Sequence, residues 1–231
     1  MVECPCYKEV NVNSEFFDMV NTRKSAREFE PYRVTGAEVE KIVKAAGRAV
    51  SSKNTQPWIV RFLQGDSIEK LKKSLCLRFD ENAEPSPELD IPLLPEYRRR
   101  AVDLGIALFI HKGIGRDDAE ARRLHNRANF QLFNAPQAFA VGVKRSAFHE
   151  GTLIDLGIFL GYMTLSIEAS GFASCLQMSP LSYPDAFREA MPDDSDILFL
   201  CVVPFGKPLC GSHVNDFDAG RLPLDAWFKA V

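Results

Sequence analysis

Long apolar runs are missing from this chain of 231 residues. The longest, Leu153 to Ala169, is broken by Asp155 and Glu168. Its uninterrupted part is about twelve residues, where a bilayer needs roughly twenty. No membrane span is expected; the stretch predicts a buried helix. Gly157 and Gly161 within it suit close packing in a core or a dimer interface. Charge of one sign is not in excess either. Against 28 Lys and Arg stand 31 Asp and Glu, a formal net charge of −3, so nothing global points to nucleic acid or an anionic surface. Histidine is scarce, and His111, His125, His149 and His213 stand alone in sequence. The six cysteines are dispersed. Cys4-Pro5-Cys6 has no second Cys or His pair at ligand spacing, so no metal site is expected. Met1 to Val10 carries Glu, Lys and Pro without an apolar run, and with the scattered thiols this gives the expectation of a reduced, cytoplasmic setting.

Motifs are missing too. Gly113-Ile114-Gly115 lacks the third glycine of a dinucleotide fingerprint and follows no predicted strand. There is no Ser/His/Asp, Cys/His or paired-carboxylate constellation, and Cys175, in an apolar setting, reads as a buried structural thiol. With no internal repeat, low-complexity tract or clean linker, residues 1–231 read as a single domain.

Against these absences stand two polar segments. Arg23-Lys24-Ser25-Ala26-Arg27 packs three positive charges and a hydroxyl into five residues. Guanidinium groups match phosphate oxygens bidentately, and Lys24 adds a compact charge. On a continued helix Arg23 and Arg27, four apart, would project from one face. The second segment, Ser51-Ser52-Lys53-Asn54-Thr55-Gln56-Pro57-Trp58, presents hydrogen-bonding side chains in a short loop. Pro57 is expected to hold Gln56 extended. Together they suit a ligand with a phosphate at one end and a flat, heteroatom-rich group at the other.

Around them the chain reads as alternating helices and strands. A short helix covers Ser14 to Arg23. Thr35 and Glu38 form a capping box for a helix with Val39, Ile42, Val43 and Ala46 at helical spacing, running to about Ala49. Trp58 to Leu63 reads as a strand. Asp66 and Glu69 signal a helix to about Arg78. Pro85, Pro87, Pro92 and Pro95 mark a loop or lid around residues 80–95. Basic helices follow at Glu96–Lys112 and Asp117–Phe130. Further on come a strand at Ala138–Val143, an extended piece at Ala173–Leu176 and a helix at Tyr183–Ala190. Ile197–Phe205, almost wholly apolar, reads as a central strand covered on both faces. The tail ends on Trp227 and Phe228, as for a segment that packs on a neighbouring subunit.

The segments just quoted make the chain resemble the FMN-dependent nitroreductase family, from about Phe16 to Trp227. Arg23-Lys24-Ser25-Ala26-Arg27 resembles that family's Arg-Arg-Ser-x-Arg element for the FMN phosphate and ribityl chain. Ser51 to Trp58 resembles its Pro-Ser-Ser-x-Asn-x-Gln-Pro-Trp element, with Val50 in place of proline. Gly171-Phe172-Ala173-Ser174-Cys175-Leu176-Gln177 resembles the element beside the flavin ring, and Asn215 to Arg221 the late Asn-x-Phe-Arg-Thr-x-Arg, with Asp218 where arginine is usual. The segment from Tyr97-Arg98-Arg99-Arg100 through Asn134-Ala135-Pro136 resembles the nitrobenzoate-reductase-like branch. The resemblance implies a three-layer α+β fold, a mostly antiparallel sheet flanked by helices, in an intertwined homodimer with FMN at the subunit interface. It implies cofactor contacts at Arg23, Lys24, Ser25, Arg27, Ser51, Ser52, Asn54, Gln56, Leu176, Gln177, Met178 and Arg221. The Ser51–Gln56 loop would reach FMN in the neighbouring subunit, Lys24 or Arg27 would stabilise the reduced ring, and Gln177 would meet the ring edge through its backbone. No catalytic side chain is implied, because a flavin carries the redox chemistry. Hydride would pass from NAD(P)H through N5 to a nitroaromatic, quinone or similar acceptor by a ping-pong route. The alternatives are an FMN-binding sensor or carrier without turnover, and another reaction on the same scaffold, such as dehalogenation or ene reduction.

Overall fold

The computed structural model describes residues 14–89 and 92–231; Cys4 and Cys6 lie outside them. Four strands form one antiparallel sheet in the order β1-β2-β4-β3: β1 (Ile59–Gln64), β2 (Gln137–Lys144), β3 (Ala173–Ser174) and β4 (Ile197–Gly206). Side chains alternate across a pleat, and here the alternation sorts two cores. Phe139, Val141 and Val143 of β2 face one side. They pack with Val39, Ile42 and Ala46 of α2 (Gly36–Ala46) and with Leu156, Phe159, Met163 and Ile167 of α6 (Glu150–Glu168). Ala138 and Ala140 face the other side, under Leu71 and Leu75 of α3 (Asp66–Asp80) and Ala186 and Phe187 of α7 (Pro184–Ala190). This is the expected three-layer α+β arrangement. All ten residues of β4 are buried, as its apolar sequence requires. The remaining helices are α1 (Ser14–Thr22), α4 (Pro95–His111) and α5 (Ala119–Phe130).

Glycine is required at Gly142. The β2–β4 register shifts between Val141 and Gly142, and a Cβ there would lie 2.2 Å from the Leu198 carbonyl oxygen.

Local sequence set most of the helix starts. The capping box of α2 forms, with the Glu38 amide donating to Thr35 Oγ1 and the Thr35 amide to the Glu38 carboxylate. The helix then ends at Ala46, three residues short of the expected limit, closed by Gly47. Asp66 does not cap α3: Gly65, at φ 54°, occupies that position, and the Ser67 hydroxyl instead receives the Gln64 amide. His149 caps α6, its Nδ1 accepting from the Gly151 amide. α6 is not the fully buried helix its composition suggests. One side packs on the core, while Leu153, Ile154 and Tyr162 are exposed and Gly157 and Gly161 have open space where a Cβ would stand. The Pro-rich strap after α3 has neither helix nor strand among its described residues. It is tied by the Ser86 amide donating to the Ser182 carbonyl (2.9 Å) and by Leu89 packing on the core.

Candidate functional site

Helix α1 stops at Thr22, and residues 23–27 run extended beside β3. Ser25 forms a parallel bridge with Ser174, and the Ala26 amide donates to the Ser174 carbonyl (3.0 Å). The expected helical continuation is thus replaced by strand-like pairing, yet the shared face survives. Ala26 turns into the core, while Arg23, Ser25 and Arg27 stay half-buried and open on one cleft with the exposed Lys24. The tail returns over them. A cleft of ≈ 390 Å³ is lined by Arg23, Lys24, Ser25 and Arg27 on one side and Phe217, Asp218, Gly220 and Arg221 on the other.

The clamp that brings these segments together is Asn215. Its Oδ1 accepts from the amides of Arg27 (2.7 Å) and Glu28 (3.2 Å), and its Nδ2 donates to the Glu28 carbonyl (2.8 Å). Ser212 adds a hydrogen bond to the Glu28 carboxylate (2.7 Å). A second tie is a histidine pair that was invisible in sequence. His111 and His213 stack 4.0 Å apart, each Nε2 lying 2.7–2.8 Å from the other's backbone carbonyl. A carbonyl only accepts, so both rings carry their proton on Nε2.

The cleft holds four cations and one carboxylate, and among the described residues the four cations make no ion pair. They rest on main-chain carbonyls: Lys24 Nζ on Asp216 (3.1 Å), Arg23 on Lys24 (3.3 Å), Arg27 on Ser25 (3.2 Å) and Arg221 on Gly220. The carboxylate, Asp218, accepts from the Gly220 amide (2.9 Å). Positive charge extends further inward. Lys112 Nζ lies 3.2 Å from His125 Nδ1, and His125 is depressed to about 4 by burial and then by Lys112 and Arg27. Burial also raises Glu168, opposed by Arg23, and raises the Cys175 thiol. A deeply buried thiol held protonated is no nucleophile.

The Ser51–Gln56 loop does not line this cleft. It forms a 3-10 turn at Ser52–Asn54 with three left-handed residues, Lys53 (φ 51°), Asn54 (φ 58°) and Gln56 (φ 48°). Gln56 is therefore not extended: its amide folds back onto Ser51 Oγ (2.9 Å). Strain of this kind persists only where the surroundings enforce it and concentrates at functional sites. The enforcing contacts are the Ser52 amide donating to the buried Asp155 carboxylate (2.9 Å) and Trp58 stacked on Phe159 (4.8 Å). The sequence flagged Asp155 as an interruption of the apolar run; its role appears only in three dimensions. Ser52, Asn54 and Gln56 are exposed.

Of Leu176, Gln177 and Met178, the outer two are exposed and Gln177 is only 5% exposed. The Gln177 amide and carbonyl are both paired with Val202 (2.8 and 2.9 Å), so its backbone is not free for a ring edge. Its side-chain Nε2 donates to Asn129, while Oε1 is buried without a partner among the described residues.

Comparison with known proteins agrees with this geometry. The chain is 28% identical over 218 residues to a 4-nitrobenzoate reductase of Nocardioides sp. (strain LMS-CY), covering 91% of this chain and 88% of that protein. It is 27% identical over 176 residues to nitroreductase NfnB of Mycolicibacterium smegmatis, covering 74% of this chain and 73% of that one. Its fold superposes with TM-score 0.88 on the crystal structure of an FMN and NADPH-dependent nitroreductase, NfnB, from Sphigopyxis sp. strain HMH, at 25% identity over 94% of this chain and 98% of that one. The nitroreductase family model matches residues 20–207, and the chain belongs to the nitroreductase family.

Proposed function

We propose that the protein is an FMN-dependent oxidoreductase that takes hydride from NAD(P)H and reduces a nitroaromatic, quinone or similar small acceptor. The observation that carries this reading is the cleft of four cations with no carboxylate paired to them among the described residues. Such a cluster fits a phosphate-ended group, because guanidinium and ammonium groups held only by neutral carbonyls favour an anion. When bound, FMN would supply the redox chemistry, carrying hydride from NAD(P)H to the acceptor.

The protein's own residues bind and orient. Arg23, Arg27 and Arg221 hold phosphate oxygens, with Lys24 and Ser25 beside them. The field of Lys24, Arg27 and Lys112 favours added negative charge on a ring nearby. Leu176 and Met178 offer apolar surface, and the partnerless Gln177 Oε1 is an acceptor awaiting a donor. Ser51, Ser52, Asn54 and Gln56 complete the site from a second copy. A homodimer is supported by the exposed α6 face around Gly157 and Gly161 and by Trp227 and Phe228, more than half exposed. We read residues 1–231 as one such FMN-binding domain, acting in the cytoplasm.

The test is the absorption spectrum of the purified protein, followed by anaerobic titration with NADPH and NADH. A flavin spectrum bleached by one or both is expected. A preparation that stays colourless and shows no calorimetric binding with excess FMN overturns the reading.

A further inference from the structure

A second, more apolar concavity lies elsewhere. A cavity of ≈ 550 Å³ lies beneath the strap, walled by Leu89, Leu93, Leu181, Phe187, Phe199 and Met178. Its size falls in the range that encloses a small organic ligand. Four charged side chains also reach its lining: Glu88, Arg145, Arg188 and Asp194. Each is already matched. Arg145 Nη2 donates to Glu88 (2.7 Å) and to the Ile197 carbonyl (3.2 Å), and its Nε to the Ser195 carbonyl (3.1 Å). Arg188 grips Glu88 and Asp185. Asp194 takes the fork of Arg61 at 2.6–2.9 Å.

An organic anion entering here would find both guanidiniums occupied by Glu88. A cation would find no unpaired carboxylate among the described lining residues. Either leaves a charge desolvated without a partner, which is costly. An uncharged ligand meets neither penalty and removes the apolar wall from water. We infer that this cavity binds an uncharged, ring-containing apolar molecule, and that Glu88 is its specificity-determining residue, shutting out organic anions by occupying Arg145 and Arg188. The inference does not rest on flavin binding; Met178 is the one residue the cavity shares with the segment assigned to the flavin ring.

The test compares two ligands of one shape, 2-naphthol (neutral at pH 7) and 2-naphthoate, by calorimetry on the full-length protein supplied with FMN. The wild type should bind 2-naphthol at least about tenfold more tightly than 2-naphthoate. Glu88→Gln removes the carboxylate the two guanidiniums share, leaving Arg145 without an acidic partner and Arg188 with Asp185 alone, and should erase or reverse that ratio. Leu181→Trp fills the cavity and should weaken 2-naphthol about tenfold or more while FMN occupancy is retained. Leu93→Trp, at a half-exposed wall position, serves as the filling variant should Leu181→Trp fail to fold. The inference is overturned by absent 2-naphthol binding, by equal affinity for both ligands in the wild type, by a ratio unchanged in Glu88→Gln, or by 2-naphthol affinity surviving in a folded filling variant.

Discussion

Two concavities of this protein use charge in opposite ways. The cleft between residues 23–27 and the tail gathers Arg23, Lys24, Arg27 and Arg221 and gives none of them a carboxylate partner among the described residues. The cavity beneath the strap gathers as many charged groups and pairs every one. Like side chains thus produce an anion trap in one place and an electrically quiet wall in the other. What separates them is whether a partner was built into the same chain. The residue types alone, arginine in both, do not say which.

The contrast can be broken most directly at the cleft. Replacing Arg23 and Arg27 together by Ala should weaken FMN by about 3–6 kcal/mol, at about 1.5–3 kcal/mol for each charged hydrogen-bond partner. Arg23→Ala alone should show one such increment. Titration by flavin fluorescence reads both, and a double variant that keeps its flavin would make these cations ordinary surface charges. On the other side, Arg61→Ala leaves the largely buried Asp194 unpaired. It should lower unfolding free energy by about 1–3 kcal/mol with FMN affinity unchanged, as denaturant melts and the same titration would show.

Acid sharpens the comparison. His125, next to Lys112 and Arg27, titrates at about 4 in the fold against 6.5 in an open chain. Between these values the unfolded chain binds the extra proton, so stability falls as pH drops from 6.5 to 4. The urea midpoint should decline across that window, and His125→Gln should flatten the slope. The smallest effect is expected from Asp218→Arg, which exchanges the cleft's one carboxylate for a fifth cation. FMN should tighten by up to about 1 kcal/mol, the range of exposed pairs, with a steeper loss in salt.

How much of this was legible beforehand follows from the range of the forces involved. The capping box of Thr35 and Glu38, the apolar spacing of α2 and the unbroken apolarity of β4 are local or one-dimensional signals, and the fold reproduces them. The cationic segment was legible as chemistry but not as conformation. Residues 23–27 are extended because Ser174, some 150 residues away, offers a strand edge, and no short-range rule contains that partner. Gln56 escaped the pre-proline expectation because Ser51 Oγ captures its amide. The α6 helix read as buried because composition cannot tell a face covered by its own chain from one left open. His111 and His213 looked solitary for the same reason: what joins them is tertiary.

Asn215 has a consequence for how the protein is made. Its side chain closes the cleft by saturating the backbone of Arg27 and Glu28 across 188 and 187 positions. Contacts so far apart must overcome the entropy of a long closure and form late. During synthesis, which proceeds from the amino end at about 5–20 residues per second, Arg23 and Arg27 leave the ribosome well before their clamp exists. On the proposed reading of the cleft, a nascent chain cannot load its cofactor step by step; the cleft closes only when residue 215 and the turn after it have emerged and docked.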